Sequence, residues 1–391
     1  MKVAVASSGL GRTNRGIEIW ASDAGAALQA RGDVQVTLFR ASGQNLKSYE
    51  RRISCLGRNS RAVRWAVQVM PKCTWRLGWK NPHALEQFTF WWGLMPQLRR
   101  GEFDLLHVQD PMLALWCLRC RRRQWLKTRE ILAHGTNEPA EFLARFPFVQ
   151  HLAPWHWDAT RRELTAQGMK CPETWTAIPN FVDTARFAPR DDVDADNPAD
   201  FRTRLGIPAG SRVLGCVAAV DKRVKRIDHL IREFARLLEK KPDRDTHLLI
   251  VGARTQETEE MQTLAENTVP RRIHILLDME SANMSACYHA MDALVLTTLY
   301  EMMPIAVLEA LASGLPVIAN RHPVLEWMIG PGGATLDMSR DGELADFLAG
   351  ITPEWIEEKG QLARHHALDN YSKDAVIQQY IEYYETILKR G

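Results

Sequence analysis

Short apolar runs alternate along this chain with longer stretches whose apolar residues recur at a helical period. In the first half the apolar runs are Val3–Ser7, Val34–Phe39, Leu105–Val108, Ile131–Ala133, Val149–Leu152 and Thr174–Ile178, and each reads as a strand. Between them Gly16–Ala30, Pro82–Arg100, Pro111–Arg123 and Pro154–Gln167 read as helices. Three of these open on proline, whose preset φ suits a first helical residue and whose missing N–H costs nothing there. The second half repeats the scheme. Val213–Val220 predicts a strand and Lys225–Lys240 a helix, and His247–Val251, Ile273–Leu277, Ala293–Leu296, Val317–Ala319 and Ala334–Leu336 continue the strands. Strands alternating with helices predict parallel, doubly wound α/β sheets. Asp191–Pro208 is acidic and punctuated by proline, which predicts a linker between two such domains, while Ser42–Lys80 has no clear period and predicts no element. The closing segment Lys373–Lys389 puts Val376, Ile377, Tyr380, Ile381, Tyr384, Ile387 and Leu388 on one stripe, and a one-sided apolar helix needs a partner surface.

Composition narrows the function classes. The chain has 391 residues, enough for two or three domains, and its 46% hydrophobic and 25% charged content is that of a globular protein. A formal charge of +3 is too small to argue for nucleic acid. Seven scattered cysteines make no disulfide framework, and Cys117-x-x-Cys120 has no second pair, so neither zinc nor an oxidising compartment is expected. The first apolar run breaks too soon for a secretory signal, and no run reaches the roughly 18 apolar residues of a spanning helix. A cytoplasmic protein is expected. Trp65, Trp75, Trp79, Trp91 and Trp92, followed by Arg119, Arg121, Arg122, Arg123, Trp125, Lys127 and Arg129, form a basic and aromatic region. It suits either an anionic membrane surface or buried rings beside a solvated basic face.

The densest chemistry lies between Thr297 and Pro316. After the run Ala293–Leu296 comes a loop with Glu301, then Met303, Pro304 at the expected first position of a helix, Ile305, Glu309 in the second turn, and Gly314 where the helix should end. A strand, a loop and a helix N-terminus make an anion site, because unbonded N–H groups and the helix dipole point at the ligand. Glu301 and Glu309 would repel a phosphate, and they suit sugar hydroxyls as acceptors. The local chemistry is that of a sugar joined to a phosphate. Lys222, Arg223, Lys225 and Arg226 follow the first strand of the second half and suit a diphosphate, with a solvated basic turn as the bland alternative. In the first half, the loop Ser7–Glu18 brings Gly9, Gly11 and Gly16 to a strand end, where glycine lets backbone amides approach a phosphate. His107 and His134 also end strands, and a lone histidine there is more often structural than functional.

The segment Glu301 to Glu309, with a small-residue strand before it and Glu309-Ala310-Leu311-Ala312-Ser313-Gly314-Leu315-Pro316-Val317-Ile318 after it, resembles the Glu-(seven residues)-Glu signature of the retaining glycosyltransferases of family 4. That resemblance covers nearly the whole chain. It implies the GT-B fold: two Rossmann-like, doubly wound domains facing a central cleft, with a C-terminal helix crossing back to the first. The implied domains are 1–188 on the acceptor side, a linker 189–210, a nucleotide-sugar domain 211–371, and the crossover helix 372–391. The implied activity is transfer of a hexose from a UDP- or GDP-linked sugar to an acceptor hydroxyl of an envelope or lipid-linked glycan, by front-face displacement, with no cofactor and no metal. Peripheral contact of the first domain with the inner face of the membrane is part of the same expectation. His134, Lys225 and Glu301 take catalytic roles, and Gly16, Lys222, Arg223, Met303, Pro304, Ile305 and Glu309 bind the donor. Four positions depart from the family pattern: Arg15, Phe181, Ala219 and Met302 stand where it has Gly, Gly, Arg and Gly. Lys222 or Arg223 is expected to replace the missing arginine. A sugar phosphorylase or epimerase on the same fold, and a non-catalytic nucleotide-sugar-binding scaffold, remain the alternatives.

Overall fold

The structure is a computed structural model that describes residues 1–13, 16–44, 46–71, 74, 79, 81–190 and 198–390. Arg15, Trp75 and the acidic part of the expected linker, 191–197, lie outside the described residues. The chain divides into two compact units, Met1–Asn180 with Val376–Gly391, and Phe181–Ala375.

In the first unit the strands are β1 (Lys2–Ser7), β2 (Gln35–Arg40), β3 (Glu50–Arg52), β4 (Leu105–Val108), β5 (Arg129–His134), β6 (Val149–His151) and β7 (Thr176–Ala177). They form one sheet in the order β3-β2-β1-β4-β5-β6-β7. Every pairing is parallel, with Val5 between Leu38 and His107. Helices cover both faces, so Val3, Ala4, Val5 and Ala6 are all fully buried, and the strand reads as a continuous apolar run without alternation. Two elements interrupt the stretch where no element was expected: β3 and the helix Arg61–Val69. β3 is a charged edge strand held by the Arg40–Glu50 ion pair at 2.8 Å, and the helix buries only Val63. β3 is too short to show a period, while the helix has an apolar side that the expectation for this stretch did not include.

In the second unit the strands are β8 (Arg212–Val217), β9 (Thr246–Gly252), β10 (Ile273–Leu277), β11 (Ala293–Leu296), β12 (Val317–Asn320) and β13 (Gly333–Leu336), in the order β10-β9-β8-β11-β12-β13. Numbered within the unit this is 3-2-1-4-5-6, the Rossmann order, and all pairs are again parallel. The segment expected as a linker includes a helix, Pro198–Arg204, that packs into this unit. The buried Arg202 pairs with Asp292 at 2.9 Å and donates to the carbonyls of Ala290 and Ser211, at 2.9 and 3.2 Å. Prolines and acids mark loop chemistry, but they carry no signal for a packing contact made by Arg202, Phe201 and Ile207.

The last helix, Lys373–Lys389, belongs to the first unit from Val376 onward. Its stripe is buried except for the half-buried Leu388, and Tyr383, outside the expected stripe, is buried too. Tyr380 accepts from the indole N–H of Trp20 at 3.0 Å and from Gln150 at 3.3 Å, Tyr384 meets His107 Nδ1 at 2.7 Å, and Tyr383 donates to the carbonyl of Thr174 at 2.8 Å.

Candidate functional site

β8 and β11 are neighbours in the second sheet, so the loops that follow them leave the same carboxyl edge side by side. In the loop after β8, Asp221 Oδ1 accepts the N–H groups of Val224 and Lys225 at 2.8 and 2.9 Å, which tightens the turn. Arg226 then adopts a left-handed conformation, φ +55°, unusual for a side chain of its size. Its guanidinium donates to the carbonyls of Thr297, at 3.3 Å, and Met338, and the Thr297 hydroxyl donates back to the carbonyls of Lys225 and Arg226 at 3.0 and 3.1 Å. This clamp joins the two loops. Lys225 Nζ forms an ion pair with Glu301, and the two side chains are 24% and 14% exposed.

The loop carrying Glu301 is held from below. Asn320 donates to the carbonyl of Leu299 at 2.9 Å and accepts from the N–H of Met338 at 3.1 Å. Tyr300 OH lies 3.1 Å from Met302 Sδ, and Met303 is buried. The helix begins at Ile305, one residue later than expected. Pro304 is its N-cap, and at φ −70° and ψ 119° it has the φ that a helix allows without having entered one. The N–H groups of Ile305 and Ala306 precede the first bond of the helix, and that of Val307 donates to the Pro304 carbonyl at 3.1 Å. Glu309, one turn further, accepts from the Tyr288 hydroxyl at 2.7 Å. Burial, reinforced by the Glu309 charge, pushes the Tyr288 phenol well above its ordinary value, so it stays a donor. The helix closes on Gly314 at φ +72°, with the N–H of Gly314 on Leu311 and that of Leu315 on Ala310, a Schellman ending.

The basic run does not act as one group. Lys222 turns to Glu260, at 2.7 Å, and its backbone N–H bonds Glu257 at 2.8 Å. The pair with Glu260 raises the Lys222 pKa. Arg223 is exposed. Lys225 alone of the expected basic residues meets Glu301. Arg226, which the sequence placed in the run without distinguishing it, is the residue that fixes the loop, and its left-handed φ is a backbone property with no mark in the pattern.

In the first unit Gly16 opens the helix Gly16–Arg31. Two glycines of the loop are in close approach: at Gly9 a Cβ would stand 1.9 Å from Glu18 Oε1, and at Gly11, φ +88°, 2.1 Å from the carbonyl oxygen of Ser42. Below Gly9 the buried Glu18 pairs with Arg58 at 2.9 Å, and Arg58 pairs in turn with Glu86 at 2.7 Å. His134 ends β5, and its Nδ1 lies 3.1 Å from Nδ1 of His151 on the adjacent strand. Burial, with His156 nearby, pushes His134 down to about 3, and its Nε2 is buried with no partner among the described residues. His107, by contrast, is engaged by Tyr384.

One group among the described residues approaches the geometry of a metal site, His229 with Glu233 and Asp341. Glu233 accepts the N–H groups of Gly342 and Ala345 at 2.7 and 3.0 Å and pairs with Arg236, which also holds Asp341 at 3.0 Å. Glu233 thus serves the N-terminus of the helix Glu343–Gly350, and Asp341 is tied to Arg236.

Residues 211–351 match the family model described as Glycosyl transferases group 1. The MMP alpha-(1->4)-mannosyltransferase of Mycolicibacterium hassiacum is 25% identical over 224 residues, 56% of this chain and 50% of that protein. The chain thus spans about half the length of the curated relatives it matches. Two solved structures share the fold over the whole chain. Sucrose-phosphate synthase from Thermosynechococcus elongatus is 17% identical with a TM-score of 0.77, covering 100% of both chains. Anabaena HepE in complex with UDP and glucose is 14% identical with a TM-score of 0.72, covering 99% of this chain and 100% of that one. The two Rossmann-like units therefore make up a GT-B fold, and the part of the second unit that holds Lys225, Glu301 and Glu309 is similar to the group 1 glycosyltransferases.

Proposed function

We propose that this chain is a retaining glycosyltransferase that moves a hexose from a UDP- or GDP-linked sugar to an acceptor hydroxyl of a glycan or lipid-linked glycan. The observation that carries this reading is the Lys225–Glu301 ion pair beside the N-terminus of the helix Ile305–Ala312, with Glu309 oriented by Tyr288 a turn further on. A donor diphosphate takes the Lys225 ammonium and the first helical N–H groups, which releases Glu301 to accept from the sugar hydroxyls. Glu309 accepts from the ribose diol. As the glycosidic C–O bond breaks, negative charge grows on the diphosphate, and fixed N–H groups with one ammonium stabilise it without reorganisation. An oxygen of the departing diphosphate takes the proton of the incoming hydroxyl on the same face, so configuration is retained. Lys225 and the helix N-terminus supply the positive charge that the leaving group needs, and the reading includes no metal. The group 1 match over this segment and the mannosyltransferase relative support transfer, and the UDP and glucose of the Anabaena neighbour support a nucleotide sugar.

Trp65, Trp92 and Trp125 are exposed at 65%, 69% and 58% on the first unit, among basic residues. Among the described residues no helix is long and apolar enough to cross a membrane. Peripheral contact with an anionic membrane surface is the part of the proposal that these rings support.

The test is a thermal-shift comparison of UDP-glucose, GDP-mannose and ADP-glucose, followed by an assay for nucleoside diphosphate release with a panel of acceptors. Release that requires an acceptor, with a product of the donor's anomeric configuration, is expected. Donor binding without release across the panel overturns transfer in favour of a binding protein, and release that requires inorganic phosphate points to a phosphorylase. Flotation with anionic vesicles, compared with Trp65→Ser and Trp92→Ser, tests the membrane contact.

A further inference from the structure

The loops bearing Lys225 and Glu301 leave the carboxyl ends of β8 and β11. At the opposite, amino-terminal edge of the same sheet lies a recess of about 770 Å³. β8 has six residues, so at about 3.3 Å per residue the two edges stand roughly 20 Å apart. Arg190, Arg202, Arg212 and Arg364 line the recess, against the carboxylates Asp292 and Glu357. Asp292 is already engaged by Arg202, at 2.9 Å, and by the N–H of Val213, at 2.7 Å. Arg364 donates to the carbonyls of Thr184, Phe187 and Ala312, which holds its guanidinium in place.

Arg212 stands in a different environment. It donates to the carbonyl of Ile351 at 3.1 Å, and Arg244 donates to the same oxygen at 3.3 Å. Two guanidiniums thus converge on one carbonyl, and among the described residues neither has a carboxylate within ion-pair distance. Burial first, then the neighbouring Arg244 charge, lower the Arg212 pKa, and the Asp292 carboxylate, already engaged by Arg202, offsets this only in part. Arg244 lies outside the recess lining, but Ser313 lines it together with Arg212; Ser313 is 5% exposed, and its buried hydroxyl has no partner among the described residues. Convergent like charges and an orphaned buried hydroxyl are both costly unless something pairs with them. An anion relieves the first and a hydroxyl-bearing body the second. The recess is also far larger than a bare phosphate, and Leu315 and Ile356 give it apolar wall.

We propose that this recess is a second ligand site that binds a small phosphorylated polyol, with the phosphate on Arg212 and the body of the ligand on Ser313. Guanidinium and phosphate match in geometry, since two parallel N–H donors face two oxygens. The site is separate from the one proposed for the donor, and its occupation requires no turnover.

Glucose 6-phosphate, inorganic phosphate and glucose serve as probes in calorimetry on the full chain. Glucose 6-phosphate is expected to bind more tightly than inorganic phosphate, and glucose not to bind at millimolar concentration. Arg212→Gln should weaken glucose 6-phosphate at least tenfold and Ser313→Ala a few-fold, while Lys225→Ala leaves it unchanged. Hydrogen exchange on the wild-type chain, which needs no variant to fold, should show glucose 6-phosphate protecting 211–213 and 313–315. Protection confined to 221–226 and 297–309, or an affinity lost in Lys225→Ala and kept in Arg212→Gln, would place the ligand at the carboxyl edge and overturn the proposal. Absence of any binding to the wild-type chain overturns it equally.

Discussion

The indole N–H of Trp20 donates to the hydroxyl of Tyr380 at 3.0 Å, across a sequence separation of 360 residues. Both groups are buried, and Tyr384 makes a parallel contact with His107 one turn away. The last helix is therefore a structural part of the first unit, fastened by hydrogen bonds that its apolar stripe alone would not require. Tyr380→Phe keeps the ring and leaves the Trp20 donor buried without its acceptor, which should cost about 1–3 kcal/mol of stability. Tyr380→Ala adds a cavity and should cost about 3–5 kcal/mol. Urea unfolding of both variants checks this, and a Tyr380→Phe protein as stable as wild type would reject the fastening role.

Glu309 is the proposed ribose acceptor. Glu309→Gln keeps the size and gives up a charged acceptor, so donor affinity should fall by roughly 1.5–3 kcal/mol. Tyr288→Phe removes only the hydroxyl that orients Glu309, and a loss of about 0.5–1.5 kcal/mol is expected. Calorimetry with the donor nucleotide ranks the two, and unchanged binding in Glu309→Gln would remove it from the site.

Lys225 and Lys222 should separate sharply. Lys225→Ala is expected to lower turnover about 10²-fold or more, because a stabilising charge on the leaving group is lost. Lys222 is committed to Glu260 on the surface, so Lys222→Ala should stay within a factor of about two of wild type, since exposed pairs matter little. Arg226→Ala should also slow turnover, through release of the loop clamp, and it should lower the melting temperature where Lys225→Ala does not. Equal rates for Lys222→Ala and Lys225→Ala would mean that the basic turn is only a solvated face.

Buried histidines make the first unit sensitive to acid. Burial pushes His107 down to about 3 and also lowers His134 and His151. In the unfolded chain a histidine titrates near 6.5. Between those values the unfolded state binds more protons than the folded one, so stability falls as the pH drops. The contribution is complete above about pH 7 and is lost progressively below it, by at most about 1.4 kcal/mol per pH unit for each histidine. Urea unfolding at pH 7.5, 6 and 5 should show this loss, and His107→Gln should flatten the slope by about one proton. A stability that is level from pH 7.5 to 5 would contradict it.

Much of this protein is legible from the chain alone. Buried parallel strands must be apolar on both faces, so Val3–Ser7, Leu105–Val108 and Ala293–Leu296 stand out as runs, and the 3.6-residue stripe of Lys373–Lys389 marks a helix that requires a partner. Proline and glycine punctuate the helix Ile305–Ala312 because φ restricts both of its ends, even though the start falls one residue beyond Pro304. The edge strand Glu50–Arg52 was not legible, since three charged residues show no period, whereas the helix Arg61–Val69 has a one-sided apolar pattern that the expectation for Ser42–Lys80 left out.

What tertiary structure alone decides is which side chain meets which. Lys222, Arg223, Lys225 and Arg226 are equivalent cations in the sequence. Only the neighbouring of β8 and β11 in the sheet gives Glu301 to Lys225, and only the left-handed turn at Arg226 sends that guanidinium to Thr297 and Met338. Tyr288 reaches Glu309, and Gly9 makes room for the Arg58 guanidinium, by the same kind of long-range placement. Local propensities act within a few residues, and they write the elements into the chain. Contacts between loops of adjacent parallel strands join residues tens to hundreds of positions apart, and their partners are settled by sheet order and side-chain packing, which no local pattern encodes.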